Sequence, residues 1–211
     1  MNFRKDYWRE NYSDIQTMDG IYNAKEHAEY VHSLLALHEF SIKSMVDIGF
    51  GYGYLLNEFI KKFKLQKVLG IEPSEHAYKY ATQKVLKKLP KKVKLENLSI
   101  AEWCVTNDDI VYDFGICNSV FQYLKDEEVA KVVPYLAQKI KHLYFTVPTD
   151  REYERILKNF DFHDRFAIQR PKEFYWEILA PHFTVVSNRF LESKVHFTEE
   201  DSPFSEFFYR F

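Results

Sequence analysis

The sequence predicts an α/β domain with a doubly wound, mostly parallel sheet of seven strands, helices on both faces and a C-terminal antiparallel hairpin. One observation is the alternation of short apolar runs with segments of helical periodicity, which is typical of parallel strands joined by crossover helices. The other is that the last two strand-like runs have no helix between them, which favours antiparallel pairing. With 211 residues, 46% of them hydrophobic, the chain can fill one core, and we predict a single domain over residues 1–211.

The first half of the chain predicts three strands with helices between them. The stretch Asn23–Glu26 has the pattern of a capping box, and apolar residues at helical spacing continue to about residue 38. Leu55–Phe63 repeats this spacing after the first strand, and Ser74 is the expected N-cap of a helix that continues to about Leu89. The predicted strands are Ser44–Ile48, Lys67–Glu72 and Val93–Leu98.

The second half continues the alternation and then changes character. Three acidic residues from Asp126 open a helix, where negative charge is favourable for the helix dipole. A polar and aromatic stretch, residues 149–171, precedes a helix near residues 172–180. The predicted strands are Val111–Cys117, His142–Val147, Phe183–Leu191 and Glu206–Phe211. We expect the last two to form the hairpin.

Charge and composition restrict the class of function. The net charge of -2 gives no overall attraction to phosphate backbones, so we predict no nucleic-acid partner. The two cysteines, Cys104 and Cys117, form no Cys-x-x-Cys motif for metal or redox chemistry. The N-terminus has no apolar signal-peptide core, and no stretch reaches the roughly 20 apolar residues of a membrane span. We therefore expect a cytoplasmic protein without a membrane partner, and the sequence leaves the oligomeric state open.

The stretch VDIGFGYGYLL, residues 46–56, places three alternating glycines between the first strand and the next helix. In open α/β sheets, ligands bind beyond the carboxyl ends of the strands, and glycines let a ligand approach the main chain. Two cofactor classes compete for such a loop. A dinucleotide fingerprint requires a small third residue, and counting from Gly49 that position is Tyr54, which is too bulky. Asp47 would also repel a pyrophosphate.

A carboxylate at this place favours a ligand with cationic groups and no phosphate. S-adenosylmethionine has a positive ammonium and a positive sulfonium, and its ribose hydroxyls can pair with a second carboxylate. Glu72 is that second acid, because it ends the second strand 23 residues after Gly49. This separation matches the spacing of about 20 residues for a ribose-binding acid.

At these residues the chain resembles the class I S-adenosylmethionine-dependent methyltransferases, and the resemblance extends from Ala24 to Phe211. It implies a Rossmann-like fold in which the Asp47–Gly53 loop holds the methionine part of the cofactor and Glu72 the ribose. Tyr112–Leu124 is similar to the family's fourth strand and the segment facing the transferred methyl. The terminal hairpin is also a family feature. The expected cofactor-binding residues are Asp47, Gly49, Gly51, Gly53, Glu72, Ile100, Ala101 and Asn118.

The adenine side departs from the family pattern. The family often has an acidic residue after strand three that contacts the adenine amine, and this sequence has Ile100 and Ala101 at the matching positions. Backbone contacts from these two residues, or the side chain of Glu102, are the candidates to replace it. Asn118, at the end of strand four, is expected to contact cofactor or acceptor, with simple loop stabilisation as the alternative.

Methyl transfer from a sulfonium depends mainly on in-line positioning and exclusion of water, since the leaving group is already good. A general base helps when the acceptor is a hydroxyl or an ammonium. The candidate catalytic residues are Tyr123, which with Gln122 follows strand four, and His163 as base. A core tyrosine and a surface histidine are the alternative interpretations. We expect no metal, since the spacing of Asp161, His163, Asp164 and His182 matches no ligand motif.

Two segments are expected to border the pocket. Residues 1–40 are predicted to form a helical lid, and residues 149–171 an acceptor-side insertion. Aromatic residues of the first segment are expected either to cover the cofactor or to pack against the sheet, and they are Tyr7, Trp8, Tyr12 and Tyr22.

The resulting prediction is a methyltransferase that acts on a small molecule such as a sugar or a secondary metabolite. A non-catalytic S-adenosylmethionine-binding protein and a nicotinamide oxidoreductase are the alternatives. A nucleic-acid methyltransferase is less favoured, because CNSVFQYL stands where the DNA-adenine branch has an Asn-Pro-Pro-Tyr type motif. The acceptor atom, whether O, N, C or S, stays open at this stage.

Overall fold

The structure, a computed structural model, describes residues 6–8, 18–106, 109–160, 164–206 and 210. Its strands are β1 Ser44–Ile48, β2 Lys67–Ile71, β3 Val93–Glu96, β4 Tyr112–Asn118, β5 Ile140–Thr146, β6 Phe183–Ser187 and β7 Phe190–Ser193. They form one seven-stranded sheet in the order β3-β2-β1-β4-β5-β7-β6. β1, β2 and β3 pair in parallel, β4 and β5 pair in parallel, and β5-β7-β6 pair antiparallel, so the predicted fold class is confirmed.

The helices alternate with these strands as the periodicity predicts. The α-helices are α1 Ala24–Leu37, α2 Tyr54–Lys62, α3 Glu75–Tyr80, α4 Ile100–Cys104, α5 Asp126–Lys139, α6 Asp150–Phe160 and α7 Lys172–Leu179. A π-helical turn, Ala81–Val85, follows α3, and a 3-10 turn, Phe121–Tyr123, follows β4. Within the part of the chain that the structure describes, no helix is both long and apolar enough to cross a membrane.

The chain divides into two compact units, Met1–Trp103 and Cys104–Phe211. In the first unit, β1 pairs with β2 from Ser44↔Lys67 to Ile48↔Ile71, and β3 pairs on the other side of β2. The apolar side chains of β1 are buried, as expected for a parallel strand that is covered on both faces. This register brings the carboxyl ends of β1 and β2 to the same edge, where the glycine loop and Glu72 follow.

The second unit corrects the predicted hairpin. Its two strands are β6 and β7, both within the residues predicted as one strand, Phe183–Leu191 and the two residues after it. Asn188 and Arg189 form the turn, and Arg189 has a φ of 63°. Asparagine favours such turns, and this polar pair interrupts the apolar run. β7 pairs with β5 and β6, and most of the predicted partner strand, Glu206–Phe211, lies outside the described residues.

Several other boundaries differ from the sequence-based expectation. Asn23 is the N-cap of α1, but its side chain accepts a hydrogen bond from the Gly20 amide and donates one to Asp19, so the predicted capping box does not form. Ser74 caps α3 as predicted, through a hydrogen bond from the Ala77 amide. That helix is much shorter than expected, since the π-helical turn replaces its second half. At Asn23, the competing hydrogen bonds with Gly20 and Asp19 replace the capping box that the pattern of residues predicts.

Gly115 in β4 provides a test of the packing in the second unit. A Cβ atom at this position would lie 2.6 Å from Cδ1 and 2.9 Å from Cγ2 of Ile140. We expect Gly115→Ala to lower the free energy of unfolding by about 1–3 kcal/mol, because the buried isoleucine has little room to move. In Gly115→Ala/Ile140→Val the nearest atom is absent, so the combined loss should be smaller than the sum of the two single losses. Denaturant unfolding measures this, and strict additivity would contradict the proposed contact.

Candidate functional site

The glycine loop after β1 needs left-handed backbone angles at each of its glycines. Gly49, Gly51 and Gly53 have φ values of 72°, 55° and 81°. Glycine adopts this region without the steric penalty that other residues incur. The amide of Gly49 donates to the carbonyl of Ile71 at 2.8 Å, which attaches the loop to the end of β2. The sequence-based assignment of a tight loop at this strand end is therefore supported by geometry.

Glu72 fixes the same loop from the neighbouring strand. Its Oε2 accepts a hydrogen bond from the Gly51 amide at 2.9 Å, and its Oε1 accepts one from the Ser74 amide at 2.8 Å. The side chain of Asn97 donates to the backbone carbonyl of Glu72 at 2.7 Å. Glu72 is only 4% exposed. Its carboxylate thus shapes the loop and still has lone pairs for a ligand hydroxyl.

Asp47 is the second acid of this edge, and its environment is unfavourable for its charge. The residue is 2% exposed, and among the described residues its Oδ2 has no hydrogen-bond partner. Burial, and secondly the nearby charge of Glu72, raise the pKa of Asp47 to about 8. Burial also raises the pKa of Glu72 to about 7, although the amides of Ser74 and Gly51 oppose the shift. A positively charged or hydrogen-bond-donating ligand would stabilise these two buried acids and the unsatisfied oxygen of Asp47.

An aromatic cluster from the first unit covers the glycine loop. The Trp8 indole nitrogen donates to Ser74 Oγ at 2.7 Å, and its ring lies 4.7 Å from that of Tyr52. Tyr52 in turn lies 4.1 Å from Tyr80. A Cβ atom on Gly51 would be 3.6 Å from the Trp8 ring. The sequence did not predict that Tyr52 packs against Trp8, or that Ser74 accepts the Trp8 hydrogen bond in addition to capping α3. No local pattern links residues 8, 52 and 74.

The four aromatic residues proposed as a lid have different positions. Tyr7 and Trp8 are buried, whereas Tyr22 is 61% exposed. Tyr12 lies outside the described residues. The lid therefore stays a prediction that the buried position of Trp8 against the loop supports.

The adenine-side residues begin α4. Ile100 is buried and Ala101 is exposed at the start of this helix. Glu102 is used for capping, because its Oε2 accepts hydrogen bonds from both the amide and the hydroxyl of Ser99 at 2.7 Å. These hydrogen bonds lower the pKa of Glu102. Glu102 is thus engaged locally, which leaves Ile100 and Ala101 as the candidates for adenine contacts.

In the second unit, the segment after β4 contains the candidate acceptor-side residues. Asn118 ends β4, and its Oδ1 accepts a hydrogen bond from the Thr146 hydroxyl at 2.5 Å. The Tyr123 hydroxyl donates to Oδ2 of the buried Asp164 at 2.7 Å. His163, the predicted base, lies outside the described residues, as does Asp161. The contact of Asn118 with Thr146 is of the loop-stabilising kind, which is the alternative to a contact with cofactor or acceptor. Tyr123 has the carboxylate of Asp164 as its partner.

Residues 164–170 hold the turn after β4, and this contact was not anticipated. The Arg170 guanidinium donates to Oδ1 of Asp126 at 2.7 and 2.9 Å, and to the carbonyls of Phe121 and Leu124 at 3.1 and 2.6 Å. The amide of Ile168 donates to the Gln122 carbonyl at 2.7 Å. Arg170 lies 44 residues from Asp126 in the sequence, so no local pattern predicts these hydrogen bonds.

Metal ligands were also sought in the structure. Over the residues that the structure describes, no group of three or more His, Cys, Asp or Glu side chains is placed to hold a metal ion. The Asp164 carboxylate is engaged by Tyr123 and by the Phe166 amide.

Comparisons with known proteins agree with this geometry. Residues 45–142 match the family model described as a methyltransferase domain. No curated protein sequence matches the chain significantly. Many solved structures have the same fold, and three of them illustrate the range.

The plantazolicin methyltransferase BpumL, in complex with a monoazolic desmethylPZN analog and SAH, has a TM-score of 0.66 and 17% identity over 84% of this chain and 69% of that chain. Magnesium protoporphyrin IX methyltransferase (ChlM) from Synechocystis PCC 6803, with bound SAH, has a TM-score of 0.57 and 19% identity over 89% and 92% of the two chains. The small RNA methyltransferase HEN1 has a TM-score of 0.61 and 20% identity over 78% of this chain and 22% of that chain. Identities this low establish a common fold.

The raised pKa values predict how stability depends on pH in the absence of ligand. The pKa of Asp47 in the folded protein, about 8, lies above its ordinary value of 3.8, and that of Glu72, about 7, lies above its ordinary value of 4.5. Their contribution to stability is complete below pH 4 and is lost as pH rises to about 8, because the fold disfavours both charges. We expect Asp47→Asn to raise the melting temperature relative to the parent protein at pH 8, and to have a smaller effect at pH 5.

Thermal melts from pH 5 to 8.5 measure this difference between variant and parent. Glu58→Gln, which removes a partly exposed acid from α2, is the control for a general change in charge. An equal effect of Asp47→Asn at both pH values would show that Asp47 titrates normally.

Proposed function

We propose that this chain, which has the class I methyltransferase fold, transfers a methyl group from S-adenosylmethionine to a small-molecule acceptor. The match of residues 45–142 to the methyltransferase-domain model supports this proposal. In this proposal residues 1–211 act as one cytoplasmic methyltransferase domain. Residues 1–40 cover the cofactor side, and residues 149–171 border the acceptor. The acceptor class includes sugars and secondary metabolites.

The observation that carries the proposal is the unpartnered Oδ2 of Asp47 beside the glycine loop. A buried carboxylate oxygen without a donor costs free energy, and a cation would remove that cost. S-adenosylmethionine provides an ammonium and a sulfonium and has no phosphate that the two acids would repel. The residues present therefore fit this cofactor better than they fit a dinucleotide.

Each predicted cofactor residue has a role in this arrangement. Asp47 and the loop glycines hold the methionine part, since a ligand can approach the carbonyls of the loop closely where side chains are absent. Glu72 accepts hydrogen bonds from the ribose hydroxyls while its amide contacts keep the loop in shape. The remaining residues proposed to contact the cofactor are Ile100 and Ala101 on the adenine side and Asn118 after β4.

In this proposal the described residues bind the cofactor, orient the acceptor and exclude water from the site. When bound, S-adenosylmethionine supplies a methyl group on a positively charged sulfur that leaves readily. Trp8 and Tyr52 cover the loop and keep water away from the charged groups, which strengthens their pairing. Tyr123, held by Asp164, orients the acceptor for in-line attack. His163 is proposed as the general base.

A small molecule is favoured over nucleic acid on two grounds. The net charge of -2 provides no general attraction for a polyanion. The turn after β4 has the sequence CNSVFQYL and no Asn-Pro-Pro-Tyr type motif. A dinucleotide oxidoreductase is disfavoured because Tyr54 occupies the third small position, and its hydroxyl is hydrogen-bonded with that of Tyr80 at 3.2 Å.

The pKa of Asp47 makes cofactor affinity depend on pH. Because Asp47 must lose its proton to pair with a cation, we expect the affinity for S-adenosylmethionine to rise between pH 6 and pH 8, with release of a proton on binding. Asp47→Asn should weaken binding roughly tenfold to hundredfold at pH 8 and flatten the pH dependence. Titration calorimetry in buffers of different ionisation enthalpy measures both quantities.

Glu58→Gln is again the matched control, because it lies on the helix after the loop and outside the proposed site. It should bind like the parent protein. The assignment of Asp47 would be wrong if its Asn variant bound S-adenosylmethionine as tightly as the parent at pH 8.

An activity screen separates the enzyme from its alternatives. We expect the purified chain to be thermally stabilised by S-adenosylhomocysteine and to form this product from S-adenosylmethionine with an acceptor in a pooled metabolite library. Binding without product in any pool would favour a non-catalytic cofactor-binding protein. Stabilisation by NAD(P) in place of S-adenosylhomocysteine would favour an oxidoreductase and overturn the proposal.

A further inference from the structure

Lysine residues lie where β1, β2 and β3 begin, at the edge of the first unit opposite the glycine loop. Lys43 precedes β1, Lys67 opens β2 and Lys92 precedes β3. The Lys43 carbonyl accepts a hydrogen bond from the Lys67 amide at 3.2 Å, and the Lys92 carbonyl accepts one from the Val68 amide at 2.9 Å. Because neighbouring strands lie about 4.8 Å apart, these three lysines follow one another across the amino-terminal edge.

Two loops add further lysines to this edge. Lys64 lies between α2 and β2, and Lys91 directly precedes Lys92 in the loop before β3. The Lys92 ammonium donates a hydrogen bond to the carbonyl of Leu65, which joins the two loops. The lysine face, as we name this group, consists of Lys43, Lys64, Lys67, Lys91 and Lys92. All of its side chains are exposed except that of Lys92, which is half-buried.

Negative charge does not accompany the lysine face in the chain. The three segments that contain it have no Asp or Glu over residues 40–46, 60–71 and 83–95. Acids of the neighbouring helices pair with other lysines, as Glu58–Lys61 and Glu29–Lys62. Among the residues that the structure describes, no acid forms an ion pair with Lys64, Lys67 or Lys91. The face therefore presents uncompensated positive charge, which an anionic partner would neutralise.

The composition of the three segments indicates the kind of anion. They contain no arginine, which is the preferred residue for bidentate phosphate recognition. Their aromatic residues, Phe40 and Phe63, are half-buried, so the face has no exposed ring on which a base could stack. None of the exposed large apolar side chains of the described residues belongs to these segments, so nothing is placed to insert into a lipid surface.

The charge of the whole chain restricts the size of the partner. Because the net charge is -2, the residues outside the lysine face are negative in sum. A long nucleic acid or an extended anionic membrane surface would meet this negative remainder, whereas a short segment of carboxylates would contact the lysine face alone. Lysine ammonium groups on separate flexible stems also suit carboxylates at irregular spacing.

We propose that the lysine face is a docking site for a short acidic segment, rich in Asp and Glu, of a partner protein. This docking site is additional to the proposed cofactor site. The five residues of β1, which span roughly 15 Å, separate the face from the glycine loop. A partner that docks at this edge leaves the loop open, so it binds at the same time as S-adenosylmethionine.

Fluorescence anisotropy with a labelled peptide of about ten glutamates tests this docking site. We expect binding to weaken roughly fivefold or more between about 50 and about 200 mM salt, because the lysines are exposed. Lys64→Glu/Lys91→Glu reverses two charges in exposed loops and should weaken binding roughly tenfold or more. Lys64→Arg/Lys91→Arg keeps the charges and should bind within about twofold of the parent, since carboxylates pair with either cation.

Lys131→Glu/Lys172→Glu is the matched control, because it changes the net charge equally at exposed positions of the second unit. It should bind the peptide like the parent protein. Saturating S-adenosylhomocysteine should also leave the affinity of the parent for the peptide unchanged.

Four outcomes would overturn the proposal. One is the absence of peptide binding by the parent protein, and another is an equal loss of affinity in the two Glu variants, which would show a general effect of net charge. A third is tighter binding of an RNA of equal charge, or of phosphatidylserine vesicles, than of the peptide. The fourth is self-association of the parent protein that Lys64→Glu/Lys91→Glu abolishes, since the occupant would then be a second copy of this chain.

Discussion

The hydrogen bonds from the Gly51 and Ser74 amides to the Glu72 carboxylate are the contacts on which the site in the first unit depends. They join the loop after β1 to the turn after β2. The Ser74 hydroxyl then caps α3 and accepts the Trp8 indole proton, which places an aromatic cover on the same loop. One buried acid thus organises the glycine loop, a helix start and the N-terminal aromatic cluster.

Burying two acids at this edge opposes folding, because each must lose hydration or hold a proton. The raised pKa values of Asp47 and Glu72 express that cost. Binding sites commonly keep such unsatisfied groups, since a ligand that supplies the missing partner gains the corresponding free energy.

The fold class, the glycine loop and the positions of the two acids at strand ends were predictable because they depend on local patterns. Apolar alternation located the first five strands to within a few residues, and the acids of the site follow from their positions at two strand ends. The predicted bounds of the hairpin strands were wrong, because the two-residue turn at Asn188 and Arg189 lies within an apolar run that resembles one strand. The capping box at Asn23 also failed, because Gly20 and Asp19 compete for the same side chain.

The sequence alone determined the alternation of strands and helices, the glycine loop and the pair of acids, since each of these is encoded within one short segment. Only the tertiary structure decided what those residues contact. The partnership of Trp8 with Ser74, of Tyr123 with Asp164 and of Arg170 with the turn after β4 joins residues 41 to 66 positions apart. Such contacts arise from packing of whole elements, and periodicity within a single segment contains no information about them.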